Sequence, residues 1–175
     1  MQDKNLGKTK GFTLIELLVT TAVMGLLAVV SANIISSVLK SQNKTAMVNE
    51  VRQNGDLVIA KFERDVRQAQ GITGGVFSVN LDVDGTSVVW ACANEGGTSG
   101  VFRRATRVVT NDDPERGVSV YGCSFNVSGN PGTGTPQIVR LVFNLRQAVG
   151  APQRAEFGVD EPFQATVGTR AYSTN

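Results

Sequence analysis

A long apolar run near the start of the chain constrains its fold more than any other feature of the sequence. The run reads KGFTLIELLVTTAVMGLLAVVSANII, and between Gly11 and Leu39 it contains one ionisable residue, Glu16, and no proline. A helix needs about 20 apolar residues to cross the hydrocarbon core of a bilayer. The sequence therefore predicts a membrane-spanning helix over residues 12–39.

The run is apolar enough to insert into a membrane despite its carboxylate. Ten of the residues from Leu17 to Ile35 are Leu, Val or Ile. Each contributes about −0.3 to −0.6 kcal/mol on an insertion scale, whereas a charged residue at mid-membrane costs about 2.5 to 3.5 kcal/mol. Because Lys4, Lys8 and Lys10 precede the run, the positive-inside rule predicts a cytoplasmic N-terminus and a head on the outer side.

Charge and residue types narrow the classes of function. The formal net charge of +2 comes from those three lysines set against Asp3, so the rest of the chain has no net charge that would attract a polyanion. The chain has no histidine, which removes histidine-based triads and the commonest zinc ligand. The sequence shows no nucleophile elbow, phosphate-binding loop or metal-binding spacing. We therefore expect no enzyme activity, no cofactor and no metal site.

A cleaved secretory signal is the alternative interpretation of the N-terminal end. A basic start, an apolar stretch and the small residues from Val30 to Ala32 fit such a signal. However, the apolar run is longer than the roughly 7 to 15 residues usual for a signal, and it continues in a helical pattern to Leu39. A retained anchor is therefore favoured.

The residues at the start of the run resemble a known signature. Phe-Thr-Leu-Ile-Glu-Leu-Leu, from Phe12 to Leu18, follows a short basic leader that ends in Gly11. This arrangement is similar to the N-terminus of type IV prepilins and type II secretion pseudopilins. The resemblance implies that residues 1–11 are a leader peptide, that prepilin peptidase cleaves between Gly11 and Phe12 on the cytoplasmic side, and that Phe12 is then N-methylated. It also implies that the retained helix becomes the core of a filament.

Glu16 has two interpretations, which are compatible with each other. Cleavage exposes an α-amino group on Phe12, and this amine of one subunit can pair with Glu16 of a neighbour, which offsets the cost of two isolated charges in apolar surroundings. Glu16 also lies near its own helix N-terminus, where a negative charge contributes about 0.3 to 1 kcal/mol. The family resemblance favours a role for Glu16 in assembly.

Residues 40–71 are predicted to continue the helix as an amphipathic segment, and one long helix is favoured over a break at Asn54-Gly55. The apolar stripe consists of Val48, Val51, Gly55, Val58, Phe62, Val66 and Ala69. The opposite faces are expected to carry Lys61, Arg64, Asp65 and Arg67. The end of the segment, FERDVRQAQG, resembles the helix end of minor pilins of the W type and of J-type minor pseudopilins.

Residues 72–175 are predicted to form a strand-rich head. Short alternating segments are separated by turns rich in Gly and Pro, and Asp84-Gly85 fits a two-residue hairpin turn. Predicted strands lie at 77–83, 86–92, 100–110, 118–127, 138–147 and 163–172. The expected fold class is α+β and pilin-like, with a long N-terminal helix packed on a mainly antiparallel β-sheet.

The two cysteines of the chain both lie in the head. Cys92 and Cys123 fall in two predicted strands, so a bridge between them is geometrically possible but cannot be deduced from the sequence. A disulfide is the favoured interpretation if the head faces an oxidising compartment. Two buried thiols are the alternative.

Arg103, Arg104 and Arg107 form the one tight basic cluster of the head. They are candidates for contact with nucleic acid. Because the cluster lacks the interleaved aromatic residues of a single-strand-binding surface, a solvated strand face or an edge strand protected by charge is the favoured interpretation.

Together these features predict a structural, non-enzymatic subunit. We expect a minor pilin or minor pseudopilin that prepilin peptidase processes and that assembles into a type IV pilus or a type II secretion pseudopilus. Expected partners are other pilin or pseudopilin subunits, prepilin peptidase, the inner-membrane assembly platform and the membrane, while nucleic acid is not favoured. The expected location is a single pass in the inner membrane, with a cytoplasmic N-terminus and an external head, and then the filament. The alternatives are an adhesive or DNA-binding module on a filament and an anchored domain that does not assemble.

Overall fold

The structure is a computed structural model that describes residues 11–93, 100–130, 135–148, 150 and 158–170. Residues 1–10 of the predicted leader, parts of the Gly- and Pro-rich segments between the predicted strands, and the end of the last predicted strand lie outside the described residues. The chain divides into two compact units, Met1–Gln42 and Asn43–Asn175.

In the part of the chain that the structure describes there is one helix, α1, which spans Leu14–Gln68. Asn54-Gly55 does not interrupt it, and the Asn54 side chain donates a hydrogen bond of 2.9 Å to the backbone oxygen of Glu50 one turn earlier. The helix ends shortly before the predicted boundary at residue 71. It stops there because the backbone N–H of Gln70 donates to the backbone oxygen of Asp82 at 2.7 Å and so begins the pairing of a sheet.

The first sheet has five antiparallel strands, which neighbour one another in chain order. They are β1 (Gly71–Gly74), β2 (Ser78–Val83), β3 (Thr86–Ala93), β4 (Val101–Arg104) and β5 (Arg107–Val108). The predicted Asp84-Gly85 turn joins β2 to β3, and its residues have φ values of 52° and 74°, as a tight hairpin turn with two positive φ angles requires. The single strand predicted over 100–110 is divided at Ala105, where a φ of 53° turns the chain back.

The second sheet has three antiparallel strands in chain order. They are β6 (Val118–Ser128), β7 (Ile138–Gln147) and β8 (Asp160–Gly168). The register of β6 against β7 shifts between Tyr121 and Ser124, and Gly122 supplies the positive φ of 59° at this irregularity. β8 begins slightly before the predicted position.

The part of α1 within the second unit packs on both sheets through the predicted apolar stripe. Phe62 is fully buried, and its ring centroid lies 5.4 Å from that of Trp90 in the first sheet and 5.8 Å from that of Phe125 in the second. Gly55 permits close contact with the second sheet, because a Cβ at this position would overlap the ring of Phe163. The predicted α+β class, a long helix packed on antiparallel strands, is confirmed.

Hydrogen bonds outside the strand ladders join the two sheets. The Gln137 side chain accepts a hydrogen bond of 2.7 Å from the Ile72 N–H and donates one of 3.0 Å to the Ile72 oxygen. Gln137 therefore takes the place of a neighbouring strand at the edge of β1. The backbone N–H of Phe125 donates to the backbone oxygen of Val76 at 2.7 Å, so β6 is also tied to the loop between β1 and β2.

One residue expected on the polar side of the helix is buried instead. The Asp65 side chain is only 2% exposed, so its prediction as a surface residue is wrong. Its Oδ2 atom accepts hydrogen bonds from Trp90 Nε1 at 3.0 Å and from Arg104 Nε at 2.6 Å. Burial of a carboxylate is costly unless the group is paired and hydrogen-bonded, as it is here. Because Trp90 lies in β3 and Arg104 in β4, these bonds connect α1 to both strands.

Candidate functional site

The predicted cleavage residues lie just before the helix and are open to solvent. Gly11 and Phe12 precede α1, and Phe12 is 80% exposed. A Cβ built on Gly11 meets no atom within 4 Å. Packing against the described residues therefore does not require glycine at position 11.

Thr13 and Glu16 form a capping box at the start of α1. The Thr13 hydroxyl accepts a hydrogen bond from the Glu16 N–H at 3.3 Å. In return, Glu16 Oε2 accepts from the Thr13 N–H at 3.4 Å and from the Thr13 hydroxyl at 3.3 Å. These reciprocal bonds satisfy N–H groups that the first turn of a helix leaves without partners.

The capping bonds are long, which matters for what Glu16 can do. Backbone N–H to oxygen bonds are usually about 2.9 to 3.0 Å, and bonds from an ammonium to a carboxylate are shorter and about twice as strong. An α-amino group that approached Glu16 would therefore compete well with Thr13. The structure shows the local role of Glu16, and its pairing with the amine of another subunit stays a prediction.

Sequence analysis missed the role of Thr13, although a signal for it is present. Thr13-Leu14-Ile15-Glu16 has the spacing of a capping box, in which Ser or Thr is followed three residues later by Glu or Gln. The pattern stands directly before an apolar run, which is the context that predicts a helix start.

The apolar part of α1 has the character of a membrane span. The most apolar stretch of 18 residues in α1 has a mean hydropathy of 2.2, and none of this stretch is buried. By length and composition the helix is long and apolar enough to cross a bilayer. The hydroxyls of Thr20, Thr21 and Ser31 donate to backbone oxygens of the same helix at 2.8 to 3.0 Å. Their polar hydrogens are therefore satisfied locally, as apolar surroundings require.

Cys92 and Cys123 form a disulfide in the structure. The bridge connects β3 of the first sheet to β6 of the second, with Cα atoms 6.4 Å apart, within the usual range of about 4.4 to 6.8 Å. Of the two alternatives, the structure therefore favours the disulfide, which fits a head in an oxidising compartment.

The three arginines of the predicted basic cluster do not form one surface. Arg104 turns toward the helix, where Nε and Nη2 reach the two oxygens of Asp65 at 2.6 and 3.3 Å. The hydrogen bond to Asp65 raises the pKa of Arg104 above its usual value, so the guanidinium stays charged. Arg103, its neighbour along β4, lies on the opposite face of the sheet, whereas Arg107 is paired with Arg104 across β4 and β5.

Comparison with known proteins gives one match, which covers the N-terminal end. Residues 6–32 match the family model described as the prokaryotic N-terminal methylation motif. No curated protein matches the chain, and no solved structure matches it. The matched residues include the predicted cleavage bond, the capping box and most of the apolar run. The chain thus carries at residues 6–32 the prokaryotic N-terminal methylation motif, which is the signature of type IV pilins and pseudopilins.

Proposed function

We propose that the protein is a minor pilin or minor pseudopilin. In this proposal prepilin peptidase removes residues 1–11 and methylates Phe12, and the mature chain is then assembled into a type IV pilus or a type II secretion pseudopilus. Its partners are other subunits of that filament, the peptidase and the inner-membrane assembly platform. Pilin-like proteins are structural, so no catalytic activity is assigned.

The observation that carries the proposal is the methylation motif placed at the start of an exposed apolar helix. The motif covers residues 6–32, and α1 begins inside it at Leu14. A conventional anchor needs neither a glycine placed five residues before a carboxylate nor an open backbone at the junction. A filament subunit needs both, because the new amine and the carboxylate must later meet.

The proposed function gives each segment of the chain a role. Residues 12–39 hold the unassembled subunit in the inner membrane and afterwards lie in the filament core, while residues 40–71 and 72–175 form the external amphipathic segment and head. The lysines before the apolar run support a cytoplasmic N-terminus. The Cys92–Cys123 disulfide supports an oxidising environment for the head.

Glu16 is proposed to exchange partners during assembly. In the single chain it accepts the long hydrogen bonds from Thr13. When subunits pack side by side, the α-amino group of Phe12 in a neighbour replaces these bonds with a charged pair, and the axial offset that brings the two together is selected. The cost of leaving either charge alone among apolar side chains drives this selection.

The assignment as a minor rather than a major subunit rests on one feature of the sequence and one of the fold. The helix end FERDVRQAQG resembles that of minor pilins of the W type and J-type minor pseudopilins. The head is long and rich in strands, with eight of them among the described residues. Both features favour a subunit that starts, caps or modifies a filament.

We expect that the protein recovered from cells begins at N-methylated Phe12, which intact mass spectrometry measures directly. Gly11→Val should abolish this processing, because a β-branched side chain obstructs the close backbone approach that the peptidase needs. The full-length mass should then be recovered from the membrane. Gly25→Ala is the matched control, since Gly25 is also open within 4 Å but lies away from the cleavage bond. A mature chain that begins elsewhere than Phe12 would overturn the proposal.

We expect Glu16→Gln and Glu16→Ala to be inserted and cleaved normally but to enter filaments about a hundredfold less or worse, because removing one partner of a buried pair costs about 3 to 5 kcal/mol and about 1.4 kcal/mol corresponds to a factor of ten. The glutamine variant is decisive, since Gln keeps the capping box and loses the charge. Quantitative immunoblots of sheared filaments and of membranes measure the ratio. Assembly of Glu16→Gln at the level of the unmodified protein would show that capping alone is the role of this residue.

A further inference from the structure

One edge of the second sheet carries backbone N–H groups that have no acceptor among the described residues. β8 pairs with β7 on one side only. The N–H of Thr169 donates to the Gln137 oxygen at 2.9 Å, and this pair continues the β7–β8 register. Because hydrogen-bonded and non-hydrogen-bonded pairs alternate in an antiparallel ladder, the odd-numbered residues of β8 bond to β7. The N–H groups of Gln164, Thr166 and Gly168 therefore point away from β7, and no described residue accepts them.

The other edges of the described sheets are short or occupied. β5 has only two residues. In β1, both backbone groups of Ile72 are bonded to the Gln137 side chain. The outer side of β6 is bonded to the first sheet's side of the head, because the N–H of Val120 donates to the Gly100 oxygen at 2.8 Å. β8 has nine residues, so among the described strands it offers the longest edge for another strand.

Most of the β8 edge lacks the features that usually prevent strand pairing. Asp160 and Glu161 lie at the start of the strand, and Pro162 follows them at an outward position, where proline removes no bond to β7. From Phe163 to Gly168, here called the open edge, no residue is charged and the register with β7 is unbroken. Charged side chains, proline and bulges are the common protections of edge strands, and the open edge has none of them.

An aromatic stack ends at the open edge. The rings of Phe143 in β7 and Phe163 in β8 are stacked, with centroids 5.2 Å apart and planes inclined by 13°. Phe163 is only half-buried, although α1 covers part of its ring at Gly55. A strand added to the open edge would place a residue opposite Phe163 in a non-hydrogen-bonded pair, in which side chains lie closest. An apolar side chain at that position would continue the stack and cover Phe163.

We propose that the open edge accepts an extended segment of a different subunit of the filament, which adds a fourth strand to the second sheet. The proposal rests on the function given above, because a subunit that starts or caps a filament contacts subunits unlike itself. The outward N–H groups supply main-chain hydrogen bonds, and Phe163 selects an apolar side chain opposite it. The segment that fits is therefore uncharged at its centre, with apolar side chains at alternate positions.

Site-specific photo-crosslinking in cells tests the contact with the full chain. Benzoylphenylalanine replaces Thr166, whose side chain is exposed, and adducts are recovered from sheared filaments. We expect the adduct to join the chain to a different protein that carries its own N-terminal methylation motif. Peptide mass spectrometry should place the attachment in a segment with alternating apolar residues. Any other attachment, or no adduct from chains that are present in filaments, would overturn the proposal.

Gln164→Pro separates main-chain pairing from side-chain contact. Proline removes the outward N–H but no bond to β7, so the adduct should fall about fivefold or more. Gln164→Ala is the matched control, because it likewise loses the hydrogen bond of 2.8 Å from Arg140 but keeps the N–H. Its adduct should stay within about twofold of the unmodified level. Fluorescence of Trp90, the only tryptophan of the chain, verifies that the heads are folded, and equal capture by two folded variants would contradict main-chain pairing.

Hydrogen exchange gives a second measurement that needs no variant. In the purified chain the three outward N–H groups should exchange quickly, whereas those bonded to β7 should be protected. In filaments the outward groups should exchange at least about tenfold more slowly, and no slowing would overturn the proposal. The mass of the chain is read from the same samples. A chain that does not begin at Phe12 contradicts the proposed function, whereas a mature chain in filaments with an unprotected edge contradicts this contact alone.

Discussion

Replacement of Asp65 by alanine is expected to lower the free energy of unfolding of the head by about 3 kcal/mol. Removal of one partner of a buried ion pair costs about 3 to 5 kcal/mol. We expect the lower end of this range, because the Arg104 side chain is 37% exposed and solvent screens its charge. Part of the loss arises at Trp90, which is fully buried and whose Nε1–H loses its acceptor. Chemical denaturation of the full chain in detergent, followed by circular dichroism, measures the change.

Two further variants separate the contributions at Asp65. Asp65→Asn keeps an acceptor for Trp90 but removes the charge opposite Arg104, so its cost should be intermediate. Asp56→Ala removes an exposed carboxylate from the same helix and should change stability by about 0.5 kcal/mol or less. A loss at Asp65→Ala no larger than that at Asp56→Ala would mean that the buried pair does not hold the helix to the first sheet.

Removal of the disulfide is expected to cost about 3 to 4 kcal/mol. Cys92 and Cys123 are separated by 31 residues, and closing a loop of this length restricts the unfolded chain by that amount in the chain-entropy account. The double variant Cys92→Ala with Cys123→Ala should therefore unfold at lower denaturant concentration. It should also accumulate less in the cell envelope, where unfolded heads are degraded.

Reduction of the unmodified protein gives an independent measure of the same effect. A thiol reductant should lower its stability to roughly that of the double alanine variant and should leave the variant itself unchanged. Because Cys123 is buried, complete reduction is expected to need partial denaturation. Equal stability of the oxidised protein and the double variant would contradict a stabilising role for the bridge.

Local patterns in the sequence were sufficient to predict the main elements of the fold. The apolar run and the stripe from Val48 to Ala69 have helical spacing, and α1 covers the run from Leu14 and the stripe as far as Val66. The Asp84-Gly85 turn was predictable because only certain residues adopt two successive positive φ angles without strain. These features depend on neighbours within one or two turns of chain, which the sequence displays directly.

Features that depend on distant residues were not predictable in the same way. Asp65 looks like a surface residue by its helical position, and its burial follows from Trp90 and Arg104, which lie far along the chain. The division of the strands into two sheets depends likewise on side-chain bonds such as those of Gln137 to Ile72. β1 was missed because GITG is short and contains two glycines, which are depleted in strands.

The residues of the candidate site also divide into those predictable from their neighbours in the sequence and those whose surroundings depend on distant residues. Gly11, Phe12 and Glu16 were identified because a contiguous motif contains them, and the capping role of Thr13 could have been found from the same residues. The arrangement of the basic segment was not predictable, because the sequence places Arg103, Arg104 and Arg107 together whereas the fold sends Arg103 to the opposite face of the sheet and pairs Arg104 with the buried Asp65. Only a fold reveals which charges of a short segment act together.

The bonds between Gln137 and the backbone of Ile72 bear on how such a chain avoids unwanted self-association. An edge strand with free N–H and C=O groups is a template for the growth of cross-β aggregates. A glutamine amide offers one acceptor and donors in nearly the arrangement of a peptide group, so it blocks that template at Ile72 without adding a strand. Within the filament proposed above, the bonds to Ile72 keep this edge of β1 from pairing with another chain, so self-association through this edge does not compete with assembly.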